Sequence, residues 1–259
     1  MKATPGINAK LRAARTKLEA FKRNVHRFTE GGAYEIRPEY YADPRDPSLY
    51  KLSLRLFKKK RFPASQWSIC IDETTYHLRS ALDAAVYDLS AAPNRPDPTD
   101  TGFPIALSED KFKPGLIRYL TDSRQAFIKS VQPYDRPDDP LWLLHEINRR
   151  NKHRVMHFAG VIVALDQQSL SNNLHIVVTD LELVRTTLRA AIRADEGAEF
   201  MNLVYRKTGA HPHVQVNMNL QIDIQFAGRT ITSGSPVGGL MSHIVSRVEE
   251  IISTLYSLP

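Results

Sequence analysis

The stretch HVQVNMNLQIDIQF, residues 213–226, alternates without a fault. Val214, Val216, Met218, Leu220, Ile222, Ile224 and Phe226 take one parity. His213, Gln215, Asn217, Asn219, Gln221, Asp223 and Gln225 take the other. Successive side chains of a strand point to opposite faces, so the pattern predicts a strand with one buried face and one wet face. That is how antiparallel sheets behave, whereas parallel strands are buried on both sides. Shorter β-like runs at 161–165, 174–178 and 200–205 precede it. Far upstream, Tyr50, Leu52, Leu54 and Leu56 alternate against Lys51, Ser53 and Arg55. Residues 34–40 read as their hairpin partner across the turn Asp43-Pro44-Arg45-Asp46-Pro47, with Pro38 favouring an edge. This hairpin is a candidate to join the later sheet.

Around these strands the period changes to that of helices. Ile7, Leu11, Ala14, Leu18, Phe21, Val25 and Phe28 advance by steps of four and three, which predicts a helix over 8–28. Lys10, Arg12, Arg15, Lys17, Lys22 and Arg23 cover its other side. A solvated face is the expected role, with an anion- or partner-binding face as the alternative. The seven-residue spacing also permits coiled-coil pairing. Gly31-Gly32 ends the helix. A long helix is predicted over 64–89, with Trp67, Ile71, Thr74, Leu78, Ala81, Leu82, Ala85 and Leu89 as its stripe. A Pro-rich loop (93–98), an extended Phe103-Pro104-Ile105 and short helices over 112–120 and 123–131 follow. Ser235-Pro236 opens the last helix, whose core face is Leu240, Ile244, Val248, Ile251 and Leu255. The prediction is an α+β fold: a helical half, then a mainly antiparallel sheet and a C-terminal helix. One domain over 1–259 is expected. Its natural subdivision is 1–158, helical with the hairpin, and 159–259, β-rich with the closing helix.

With 259 residues, 42% of them hydrophobic, the chain can bury a real core. The formal net charge of +7 favours an anionic partner, RNA among them. A single cysteine, Cys70, rules out an internal disulfide framework and suggests a reducing compartment; it is expected in the core. No signal-like segment and no membrane-spanning apolar run is apparent, so a cytoplasmic protein is expected.

The chemistry concentrates in Asn148-Arg149-Arg150-Asn151-Lys152-His153-Arg154 and His157, beyond an apolar helical run from Pro140 to Ile147. Continued at 100° per residue, Leu143, Leu144, Ile147, Val155 and Phe158 share one face. Asn151 lies at its middle, Asn148 and Arg154 at its edges. Inward polar side chains need partners, so the pattern means a buried network or a site. Arg150 and His157 fall two turns apart on one flank, with His153 between them and Glu146 one turn before. A histidine can move a proton near neutral pH while an arginine holds a phosphate or a developing charge. Arg150, His153 and His157 are therefore the candidate catalytic residues for phosphodiester cleavage, and Lys152 and Arg154 candidate anion contacts. The competing reading is structural. Asn148 and Asn151 would form a polar network with His77 and Asp83 of the 64–89 helix, and Asp83 or Asp88 would pair Arg154. Glu73, one turn before His77, could fix its tautomer.

Lys58-Lys59-Lys60-Arg61 could touch phosphates, or serve as a solvated turn that protects a sheet edge. His211-Pro212-His213 lacks partners at metal-ligand spacing, so no metal site is expected. No phosphate-binding glycine loop or nucleophile motif is present, and no cofactor is expected.

Two segments together resemble a group of uncharacterised bacterial proteins common in actinobacteria. They are His77-Leu-Arg-Ser-Ala-Leu-Asp83, with Val86 and Leu89 behind it, and Asn148-x-x-Asn-Lys-His-Arg154. Phe103-Pro104-Ile105 and Gln132-Pro133-Tyr134 fit the same group, so the resemblance covers roughly 64–158. Asn151 stands where that group usually has Asp. The resemblance implies no activity. Arg150, Asn151 and His157 also resemble, at its longest spacing, the Arg–polar–His pattern of HEPN-type ribonucleases. That resemblance implies metal-independent RNA cleavage in a toxin or defence setting and a homodimer. The β-rich part after 158 departs from a minimal HEPN domain. A non-catalytic protein that binds nucleic acid or another anion, and a purely structural or oligomeric protein, are the alternatives.

Overall fold

A computed structural model of the chain describes residues 3–44, 46–90, 100–136, 139–151, 158–162, 174–179, 181–188, 197–208, 213–218, 222–226 and 236–259. The fold is α+β, and its helices and strands divide between two compact units. The first comprises Met1–Asn24, Pro63–Met156 and Gly238–Pro259. The second comprises Val25–Phe62 and His157–Val237.

The first unit is helical. It holds most of α1 (Pro5–Glu30), α2 (Ala64–Ser90), α3 (Asp122–Ser130), α4 (Pro140–Asn151) and α5 (Val237–Ser257). Its core takes Ile7, Ala14, Leu18 and Phe21 from α1 and Trp67, Ile71, Leu78 and Leu82 from α2. Leu141, Leu144 and Ile147 come from α4, and Ile244, Val248 and Ile251 from α5. Phe21 meets the Trp67 ring edge-on at 6.1 Å. The heptad-like face of α1 is thus spent on the chain's own core, which leaves no coiled-coil seam there. Its basic face is also engaged: Arg15 pairs with Glu249 of α5 at 2.6 Å, Lys17 with Glu73 of α2 at 2.8 Å, and Lys10 donates to Ser80. Cys70 is half-buried rather than in the core.

Helix α4 has a built N-terminus. Asp139 caps it by accepting the Leu141 N–H at 2.9 Å, and Pro140 takes the first turn, where no N–H is needed. The helix expected over 112–120 is only a 3-10 turn, Pro114–Ile117. Gly115 follows Pro114 there, and both residues oppose α-helix propagation.

The second unit contains a four-stranded antiparallel sheet of order β1-β2-β6-β5. Its strands are β1 (Tyr34–Ala42), β2 (Leu49–Lys58), β5 (Leu181–Leu188) and β6 (Ala198–Lys207). The N-terminal hairpin joins the later strands through β2 and β6, and β1 with Pro38 is an edge. Leu52, Leu54, Leu56, Met201, Leu203 and Tyr205 are buried on one face. Two further antiparallel pairs exist: β3 (Phe158–Ile162) with β8 (Ile222–Phe226), and β4 (Leu174–Thr179) with β7 (His213–Met218). The long alternation over 213–226 therefore supplies two strands with different partners. Parity tells which face a residue takes, not which strand lies beside it. Strand β5 escapes a period-two reading because its pairing with β6 shifts between Leu183 and Arg185, which puts Val184 out of step.

Candidate functional site at helices α2 and α4

Helices α2 and α4 are neighbours in the first unit. One turn apart on α2, Arg79 and Asp83 form a two-pronged ion pair: Nε donates to Oδ2 at 3.2 Å and Nη2 to Oδ1 at 3.0 Å. Both also reach Phe103. Its N–H donates to Asp83 Oδ1 at 2.9 Å, and its carbonyl accepts from Arg79 Nη2. Gly102 precedes it, and a Cβ there would come within 3.2 Å of Asp83 Oδ1. On the other side of the same extended segment lies the fully buried Gln132. Its Oε1 accepts the Ala106 N–H at 2.9 Å, and its Nε2 donates to the carbonyls of Pro104 (3.0 Å) and Ile128 (2.8 Å). The Arg-Ser-Ala-Leu-Asp run, Phe103-Pro104 and Gln132 thus meet in one clamp around residues 102–106.

On α4, His145 is half-buried. Burial lowers its imidazole below the ordinary histidine range, with the charges of Arg79 and Arg149 adding to that and Glu146 opposing it. Glu146 is buried, and Arg149 grips both its oxygens at 3.1 and 3.0 Å from a mostly exposed side chain. Asn148 is half-buried on the same helix. Arg150 and Asn151 close α4 as backbone, but their side chains lie outside the described residues, as do Lys152, His153, Arg154 and His157 entirely. Phe158 opens β3, so the helical face expected to run on through Phe158 does not extend that far.

The remaining expected residues are placed as follows. His77 is half-buried with its ring against Tyr76 at 5.6 Å. Glu73, expected to orient it, is instead engaged by Lys17. Asp83 is engaged by Arg79, and Asp88 accepts from the Tyr256 hydroxyl. Lys58 lies over the Phe62 ring at 4.8 Å, Lys60 donates to the Gly31 carbonyl past the end of α1, and Lys59 and Arg61 are exposed. Among the described strands β2 is an inner one, flanked by β1 and β6. His213 opens β7, while His211 lies outside the described residues. Among the described residues no group of three or more His, Cys, Asp or Glu side chains could hold a metal ion, and no helix is long and apolar enough to cross a membrane.

Besides the Gln132 clamp and the Arg247–Asp139 pair, two polar features were not anticipated from the sequence. One is His145 itself, hidden in an apolar run. The other lies on the sheet, where Glu199 accepts from Ser53 Oγ and Asn202 Nδ2, both at 2.6 Å, with Lys51 at 3.4 Å. Burial alone raises the Glu199 carboxyl, but those hydrogen bonds and the Lys51 charge outweigh it and bring it down to about 2. Compared with family models, with curated proteins and with solved structures, the chain matches none.

Proposed function

We propose that this protein acts on RNA as a metal-independent ribonuclease, with α4 and the segment after it as the catalytic element. The observation that carries the reading is His145: a half-buried imidazole whose burial lowers it below the ordinary histidine range, on the same short helix as Arg149 and Arg150. A neutral imidazole accepts a proton, and a guanidinium stabilises the charge that gathers on a phosphate under attack. In this reading Arg150 holds the scissile phosphate. His157, assisted by His153 and Lys152, moves the proton between the attacking 2′-hydroxyl and the departing 5′-oxygen. The net charge of +7 suits a polyanionic substrate.

A second reading is RNA binding without cleavage. It is favoured by two ion pairs, Arg79 with Asp83 and Arg149 with Glu146, which engage these charges structurally. Incubating the purified protein with a mixed RNA pool in EDTA separates the two. Cleavage by wild type that Arg150→Ala and His157→Ala abolish, with the melting temperature unchanged, is the expected result. Salt-dependent binding without cleavage leaves the second reading standing, and neither binding nor cleavage removes both.

A further inference from the structure

We infer that the outer end of the four-stranded sheet is a stacking platform for the bases of single-stranded RNA. The inference rests on the reading that RNA is the substrate, but its site lies wholly on the sheet. Tyr50 of β2 and Tyr205 of β6 are directly opposed, and their rings stack at 5.8 Å with 17° between planes. Tyr40 of β1 is paired with Leu52, two residues from Tyr50 on the same face, and Leu183 of β5 is paired with Tyr205. Tyr50, Tyr205 and Leu183 therefore lie side by side across three strands, and Tyr40 of the fourth sits on the same face diagonal to Tyr50, which directly opposes Ala42.

Further along, this face is buried: Leu52, Leu54, Leu56, Met201 and Leu203 are at most 1% exposed. At the outer end it opens on the two edge strands, with Tyr40 55% and Leu183 47% exposed, while Tyr205 between them stays buried at 6%. Lys207 Nζ lies 4.1 Å from the centre of the Tyr50 ring. A cation over the partly exposed Tyr50 ring, with the exposed Tyr40 ring on the same face, offers two things at once: flat π-faces for bases and a charge for the phosphate between them. Arg206, between Tyr205 and Lys207 in sequence, takes the opposite face with its partner Glu182, so Lys207 is the cation on the side of the row. Asp46, an acid near this end, is held by Ser48. Bases inside a duplex are stacked on one another, so a stacking row selects single strands.

The test is fluorescence anisotropy with a labelled 12-nucleotide 2′-O-methyl RNA of mixed sequence, which lacks the 2′-hydroxyl that the proposed cleavage needs, and with its duplex. Wild type is expected to bind the single strand in preference to the duplex. Tyr40→Ala combined with Lys207→Ala is expected to weaken single-strand binding about tenfold or more, while Tyr40→Phe leaves it near wild type. Tyr40 and Lys207 are exposed, so an unchanged melting temperature is expected of these variants. Single-strand affinity equal to wild type in the Tyr40/Lys207 variant overturns the platform, as does a wild type that binds neither strand. A Tyr40-dependent dimer with no RNA affinity also overturns it and assigns the row to a second copy of the chain. Cleavage of natural RNA, scored separately, keeps the outcomes apart: cleavage surviving in the platform variant with unchanged affinity leaves the ribonuclease reading intact, and Tyr40-dependent binding without cleavage does the reverse.

Discussion

Arg79 and Asp83, one turn apart on α2, hold the two backbone polar groups of a single residue: Asp83 accepts the Phe103 N–H and Arg79 donates to the Phe103 carbonyl. The pair is thus more than a surface i,i+4 contact. It satisfies a stretch of chain that belongs to no helix or sheet and would otherwise leave its backbone unpaired. Asp83→Ala is expected to lower the unfolding free energy by about 2 kcal/mol, since hydrogen bonds to charged groups contribute roughly 1.5–3 kcal/mol and water recovers part at this partly exposed site. Asp83→Asn keeps an acceptor for Phe103 and should lose less. Urea denaturation of the two variants checks the ordering; equal losses would show that the charge, not the acceptor, matters.

Gln132 does the same work from the opposite side, with no water to help. It is fully buried, and its amide serves Ala106, Pro104 and Ile128 at once. Gln132→Leu leaves three buried backbone groups unpaired, each costing about 1–3 kcal/mol. A loss of about 3 kcal/mol or more is expected in urea denaturation, larger than for Asp83→Ala. A loss below that of Asp83→Ala would mean the segment re-forms its bonds elsewhere.

These two residues also show what could be read in the sequence and what could not. Helices with a steady apolar stripe, such as α1, α2 and α5, were legible, because burial of one face dictates the period. So was the hairpin at β1 and β2. The partners of the strand residues 213–226 were not, because pairing is a long-range choice that alternation does not encode. Nor was the clamp: Asp83 and Gln132 are 49 positions apart and nothing local marks Gln132 as buried. Of the polar motif after Ile147, the described side chains are the half-buried Asn148 and Arg149, which pairs with Glu146; the rest lies outside the described residues. Its helical projection failed at Phe158, where β3 begins, since a period read beyond a helix end carries no information.

Asp139 is expected to be the strongest single determinant of α4's placement. It caps the helix and also meets Arg247 of α5, whose Nε donates to its Oδ2 at 2.9 Å, and both side chains are largely buried. Asp139→Ala removes a cap worth about 1 kcal/mol. It also leaves a mostly buried guanidinium with the exposed Glu250 as its partner among the described residues, so a total loss of about 2–4 kcal/mol is expected. Asp139→Asn, which can still cap, should retain part of that. Thermal melts at neutral pH decide it. A melting temperature for Asp139→Ala within a degree of wild type would show that α4 is held by its apolar face alone.

Glu199 should make the protein sensitive to acid. Its folded carboxyl lies at about 2, below the unfolded value of 4.5. The stability it contributes is therefore complete above about 4.5 and is lost as the pH falls from there toward 2. Ser53→Ala deletes one of the two 2.6 Å hydrogen bonds that stabilise the charged form, so its carboxyl moves back up. The melting temperatures of wild type and Ser53→Ala should differ most above pH 5 and converge on acidification. A gap that stays constant down to pH 2.5 would mean that the loss is one of packing around a fully buried serine and not of charge.

His145 gives the corresponding signature nearer neutrality, and it bears on function. Burial, with Arg79 and Arg149, lowers its folded pKa below 6.5, so the unfolded chain takes up the proton more readily. The sign follows: the stability contributed by keeping it neutral is complete above 6.5 and is lost as the pH falls through and below that value. Wild type should lose stability between pH 7 and 5 more steeply than His145→Gln, which has no proton to gain. If the imidazole also serves RNA cleavage as a base, the acid limb of kcat/KM lies below 6.5 and shifts or disappears in His145→Gln. A steeper stability profile without any change in cleavage would make His145 a positioning residue for α4, leaving the proton transfer to the histidines that follow the helix. Parallel profiles for the two proteins would show that the imidazole reaches water and is not held neutral by the fold.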